Sequence, residues 1–239
     1  MLKPRLRVLV RLLLLCGCCA LVGSTASAQL NGKPYQQWTA KDAEGLLIDS
    51  PWAQTRAGLL AVGRFDPPTA PVNTAITISL RSALPIRQAM ARLKQLKSKY
   101  DKKSDSNKAA IDVENKPLLE CPECANYYIV TMSPGPGSET GLPFSVLGNS
   151  LAQIKRDVQI KNEKGETREL VKFVQPKFTL DNAVFFFSRF NSKGEPLIGS
   201  QNHTLIVSFH PGLFRFKPAM LTNFKFDVTK MIVNGQIAF

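Results

Sequence analysis

Two cysteines stand three positions apart at Cys121-Pro122-Glu123-Cys124, and that spacing serves three different chemistries. In an oxidising compartment vicinal cysteines close a local disulfide, which stabilises by about 2 kcal/mol in the chain-entropy picture. A thiol oxidoreductase uses the same spacing with its first cysteine at a helix N-terminus, where the dipole lowers the thiol pKa. Here the pair precedes a strand-like run, Tyr127 to Met132, so the structural disulfide is the reading adopted. Zinc asks for four ligands in a closed site, and Cys121, Cys124, His203 and His210 supply four on paper. The two histidines, the only ones in the chain, are seven residues apart along one predicted strand. That spacing sets them on opposite faces about 23 Å apart, at ~3.3 Å per residue. One ion cannot hold both, so no metal site is assigned and each histidine reads as a strand-end surface residue.

Other candidate chemistry fades on inspection. Gly135-Pro136-Gly137-Ser138-Glu139-Thr140-Gly141 sits between a predicted strand and a predicted helix, where a phosphate cradle belongs. It lacks the Lys-Ser/Thr ending and the third glycine of the dinucleotide fingerprint, and Pro136 removes an amide donor. Ser150, after Gly148-Asn149, lacks the second glycine of a nucleophile elbow. Asn202-His203-Thr204 spells a glycosylation sequon, accidental in a bacterial producer. No catalytic residue, cofactor-binding residue or cofactor is assigned.

Charge is the remaining signal. Lys and Arg number 31 against 18 Asp and Glu, a formal net charge of +13. Arg87, Arg92, Lys94, Lys97, Lys99, Lys102 and Lys103 follow one another closely. Such a run either meets an anionic partner, whether an envelope protein, lipid headgroups or polysaccharide, or is simply a solvated face. It is not interleaved with aromatic residues as single-strand nucleic-acid platforms are, and no nucleic acid is expected.

The elements that must carry these residues begin after a leader. Lys3, Arg5, Arg7 and Arg11 precede an apolar run from Leu12 to Gly23, and Ala26 and Ala28 take the two small-residue positions that signal peptidase requires. Cleavage is expected between Ala28 and Gln29, giving a signal peptide over 1–28 and one globular domain over 29–239, periplasmic or secreted, with net charge lowered to +9. An uncleaved anchor is the lesser reading, since the apolar run is far short of the ~20 residues of a spanning helix. A lipoprotein acylated at Cys18 is a further alternative, from Leu15-Cys16-Gly17-Cys18.

In the mature chain, Thr39 and Asp42 form a capping-box pattern that starts a helix, and Ser50-Pro51 ends it. Trp52 is expected to pack beside Trp38. Ala75 to Leu80 alternates as a half-buried strand, Ser82 is placed to cap the next element, and Leu84 to Lys99 has helical spacing with Pro85 in its first turn. Residues 100–117 read as a polar mobile loop. A short helix near Ser145 to Lys155 follows. Strands are then expected over Asp157 to Lys161, Arg168 to Val174, Ala183 to Phe190, His203 to His210, Phe214 to Phe216 and Phe224 to Val228. Asn162-Glu163-Lys164-Gly165 and Asn234-Gly235 are hairpin turns. Twelve of the fourteen phenylalanines lie at or beyond Phe173, which places the thickest core in the C-terminal half. The fold class is therefore α+β: an antiparallel β-sandwich-like or layered sheet with two or three short helices.

Asp49-Ser50-Pro51-Trp52-Ala53 and Leu84-Pro85-Ile86-Arg87-Gln88-Ala89 resemble words found in a family of uncharacterised exported bacterial proteins. The resemblance implies export and a bacterial source, and it carries no activity or site residue with it. The reading that results is an exported, non-enzymatic binding or interaction domain, with a hydrolase or thiol-active enzyme as the alternative.

Overall fold

The computed structural model describes residues 32–60, 72–138, 150–178, 180–210 and 222–239. The expected leader, the lipobox at Cys18 and the strand over Phe214 to Phe216 lie outside the described residues. Described are four helices, α1 (Ala40–Ile48), α2 (Leu84–Lys97), α3 (Asp105–Glu120) and α4 (Leu151–Asp157). They accompany two main antiparallel sheets. The first has the order β1 (Ala53–Leu60), β2 (Val72–Leu80), β3 (Tyr127–Pro134), β7 (Ala183–Ser188), β6 (Leu170–Val174). The second runs β5 (Thr167–Arg168), β4 (Val158–Asn162), β8 (Thr204–Phe209), β9 (Asn223–Asp227). A small hairpin, β10 (Ile232–Val233) with β11 (Gln236–Ile237), turns at Asn234 and Gly235, both at positive φ. This is an α+β fold of layered antiparallel sheets.

Phenylalanine rings join the sheets. Phe185 of the first sheet stacks on Phe173 at 5.2 Å and meets Phe209 of the second at 6.0 Å, and Phe209 meets Phe224 at 6.0 Å. Because side chains alternate along a strand, Phe185 and Phe187 enter this main core while Phe186 lies in a separate cluster on the other face. On β9, Phe224 and Phe226 are buried and Lys225 is exposed, the one wet face that the alternation implies.

Several elements differ from expectation, each for a physical reason. The predicted half-buried strand is buried on both faces from Thr74 to Leu80. Its polar side satisfies itself: the Thr77 and Thr55 hydroxyls lie 2.7 Å apart, and the Thr55 hydroxyl donates to the Ile48 carbonyl at 2.8 Å. Ser82 caps no helix; its hydroxyl accepts the Ile129 N–H at 3.2 Å instead. The helix predicted to reach Lys99 stops at Lys97, and the short helix near 145–155 is found at Leu151–Asp157, capped by Ser150. The strand predicted over Arg168 to Val174 is two strands in two different sheets, with Glu169 alone between them. Trp38 and Trp52 both lie in the main core, as expected of neighbours, and their indole N–H groups donate to the Lys33 and Ala238 carbonyls at 3.1 and 2.7 Å.

The largest correction concerns 100–117, predicted as a mobile loop. It is a 3-10 turn, Tyr100–Lys102, followed by α3. Helices ordinarily announce themselves by an apolar stripe; α3 packs Leu118 and Leu119 on the core only at its last turn and otherwise meets its neighbours through polar groups. Gln95 donates to Asp112 at 2.9 Å, Tyr100 donates to the same carboxylate at 2.7 Å, and Arg87 donates to the Leu119 carbonyl.

Candidate functional site

Cys121 ends α3 in a left-handed conformation, φ +44°, and a 3-10 turn over Pro122–Ala125 brings Cys124 back beneath it. The two are disulfide-bonded, with Cα atoms 5.4 Å apart. Cys124 is buried against Ile129, Val184 and Phe186 on the face of the first sheet that points away from the second, with Cys121, Tyr127 and Val171 at its margin. Tyr127 meets Phe186 edge-on at 6.0 Å. Lys172, on β6, covers the Phe186 ring with its ammonium 4.3 Å from the centroid and pairs with Glu123 at 2.9 Å. The disulfide is thus one wall of a small aromatic face, and its sulfurs are joined to each other.

This face continues along β6, an edge strand, into the connection to β7. There Asp181 accepts the N–H groups of Lys177 and Phe178 at 3.1 and 3.0 Å, and the Asp181 N–H returns to the Phe178 carbonyl at 3.0 Å. Pro176 is buried and anchors the tip. Beyond it Phe178 and Leu180 are 70% and 76% exposed, and Val174 is 44% exposed. Large apolar side chains on a turn held by three hydrogen bonds are not a folding requirement, since nothing in the core loses by their removal; such patches mark contact with something else.

The other sequence candidates do not assemble. His203 and His210 are both exposed at opposite ends of β8, and among the described residues no group of His, Cys, Asp and Glu could hold a metal ion. Ser150 is occupied in a reciprocal capping box with Gln153. Gly135 lies against Ala75 and Thr55 as a packing glycine, and 139–149 lie outside the described residues. A cleft of about 390 Å³ at the sheet switch is lined by polar Lys155, Gln159, Thr167, Arg168 and Glu169 together with Val158 and Leu170; the Lys155–Glu169 pair at 2.6 Å spans it.

The basic run divides. Lys94, Lys97, Lys99 and Lys102 are exposed, but Arg87 and Arg92, expected on an anion-facing surface, are buried. Arg92 forks onto Asp101 at 2.9 and 3.0 Å and donates to the Trp38 carbonyl at 2.7 Å. Sequence reasoning missed the hairpin tip. Pro-Lys-Phe-Thr-Leu-Asp falls between the strands expected over Arg168 to Val174 and Ala183 to Phe190 and receives no role there; the signal that could have exposed it is Asp181, a turn-capping residue three positions past Phe178.

No family model, curated protein or solved structure matches the chain. Among the described residues, no helix is long and apolar enough to cross a membrane.

Proposed function

We propose that this protein is an exported, non-enzymatic binding domain that docks on an anionic lipid surface through the β6–β7 hairpin tip. The observation that carries the reading is the pair Phe178 and Leu180, 70% and 76% exposed on a hydrogen-bonded turn. Three supports stand beside it. Positive charges followed by an apolar run and Ala26 and Ala28 form the pattern of a cleaved leader. The disulfide suits an oxidising compartment. The net charge of +9 left after cleavage of the leader favours approach to an anionic bilayer, and Lys177 is exposed at the tip itself. Two or three side chains on a narrow turn are too little for an ordinary protein interface of about 800 Å² per partner, yet they suit shallow insertion among headgroups.

The test uses natively produced protein and co-sedimentation with vesicles of phosphatidylglycerol and phosphatidylcholine, or of phosphatidylcholine alone. Wild type associates with the anionic vesicles, and the double variant Phe178→Ser, Leu180→Ser loses association at least ten-fold while keeping its urea midpoint. Equal association by the double variant sinks the hairpin as the contact. Mass spectrometry of the same material reads the export half of the proposal: an N-terminus at Gln29 is expected, and an intact Met1 on a cytosolic product overturns it.

A further inference from the structure

The order β2-β3-β7 places two arginines at one end of the first sheet, on either side of the start of β3. Arg87 arrives from the β2 side. Its guanidinium donates to the Ser82 carbonyl at 3.3 Å and to the Leu119 carbonyl, and Ser82 is tied by its own N–H and hydroxyl to Ile129 of β3. Arg189 arrives from the β7 side, its N–H bonded to the Asn126 carbonyl at 2.8 Å, and its guanidinium lies 4.7 Å over the Tyr128 ring. Tyr128 is fully buried, and its hydroxyl accepts the Ile198 N–H at 3.2 Å.

Among the described residues no acid stands at this corner, as none pairs with the buried Arg168. Arg87 is 7% exposed and Arg189 is partly buried. Among the described residues no carboxylate pairs with either, whereas the other buried arginine of α2, Arg92, has Asp101. The Nε of each is buried with no acceptor. Burial and the neighbouring Arg189 together lower the Arg87 pKa to about 10, so its guanidinium remains charged at neutral pH; burial lowers the Arg189 pKa as well. Two guanidinium groups that flank the start of β3 without a counter-charge are costly, and a planar guanidinium fork matches two oxygens of one anion.

We propose that Arg87 and Arg189 form a binding site for an oxyanion, a carboxylate or phosphate group, which enters from the solvent-accessible side of Arg189. Arg87, held by two carbonyls, is the fixed donor, and Arg189 on its Tyr128 platform closes on the anion. The site is separate from the hairpin tip: the tip precedes Ala183 at the start of β7, and Arg189 follows Ser188 at its other end.

Titration calorimetry with inorganic phosphate and with acetate, at ionic strength held constant with sodium chloride, tests the site directly. Saturable binding of at least one of them to wild type is expected, and its preference distinguishes a tetrahedral from a planar group. Arg189→Gln weakens that binding at least ten-fold; Lys193→Gln, an exposed change in the adjoining loop, leaves it unchanged. Thermal unfolding adds a sign that a purely structural arginine would not give. In chloride alone Arg189→Gln matches or exceeds wild type, because repulsion from Arg87 is relieved, and the bound anion raises the wild-type Tm only. Absence of saturable binding of both anions to wild type overturns the proposal. So does an equal rise in Tm for wild type and Arg189→Gln, or a variant less stable than wild type in chloride alone.

Discussion

Arg92 and Asp101 illustrate how unequal the two ends of one ion pair can be. The Arg92 guanidinium is buried and holds the Trp38 carbonyl as well as the carboxylate, whereas the Asp101 side chain is 56% exposed. Exposed carboxylates contribute little through such pairs, but leaving a buried carbonyl without its donor is costly. Arg92→Met is expected to lower unfolding stability by about 2 kcal/mol, and Asp101→Asn by less than ~1 kcal/mol; urea titrations of the two variants check the contrast. Tyr100 supplies a pH signature. Its hydrogen bond to Asp112, aided by burial, pushes the hydroxyl from 10.0 up to about 12. A folded pKa above the unfolded one means that this bond's contribution is fully present below pH 10.0 and is lost as pH rises through about 12. Wild type therefore loses its advantage over Tyr100→Phe across that window, and the two urea midpoints converge at the alkaline end. At this scale the sequence was readable where partners are local, as at Thr39 and Asp42, whose hydroxyl and carboxylate cap each other's N–H groups. It was opaque where burial decides: nothing in the spacing of Arg87 and Arg92 says that one meets an acid and the other does not.

Among the elements, β7 was legible because three consecutive phenylalanines admit only a strand with apolar neighbours on both sides. Helix α3 was hidden for the opposite reason, its contacts with α2 being made by Asp112 and the Leu119 carbonyl. The Cys121–Cys124 bond joins the end of α3 to the turn before β3. It closes so small a ring that replacing both cysteines by serine is expected to cost about 2 kcal/mol without abolishing folding; chemical unfolding with and without reductant should show the same difference. Gly135 marks a second junction. A Cβ there would sit 2.8 Å from the Ala75 Cβ and 3.0 Å from Thr55 Cγ2, so Gly135→Ala forces neighbouring strands apart and costs on the order of 1–3 kcal/mol, again readable as a shift in urea midpoint. The glycine-rich stretch was noticed for its composition, and its first glycine turns out to serve the close approach of backbone to β2.

At the level of the whole molecule, the layered α+β class followed from strand alternation and the C-terminal weight of phenylalanine, since twelve rings from Phe173 onward need two apolar surfaces to share. The assignment of strands to the two sheets did not follow, because a one-residue joint at Glu169 leaves no compositional mark. That joint and the pairing of β3 with β7, Tyr127 opposite Ser188, tie distant parts of the chain together. Refolding is expected in the millisecond-to-second range typical of sheets built from non-local pairs, measurable by stopped-flow fluorescence of Trp38 and Trp52. A chain ending at residue 168 should show no cooperative transition, since β3 then lacks the strand that supplies Phe185 and Phe187. During synthesis the same geometry has a cost in time. The ribosome releases β1, β2 and β3 well before β7, and until then a row of amides and carbonyls along β3 stays open to any passing extended peptide. For a nascent chain of this design, the interval before its last third is delivered is when pairing with a sibling competes with its own folding.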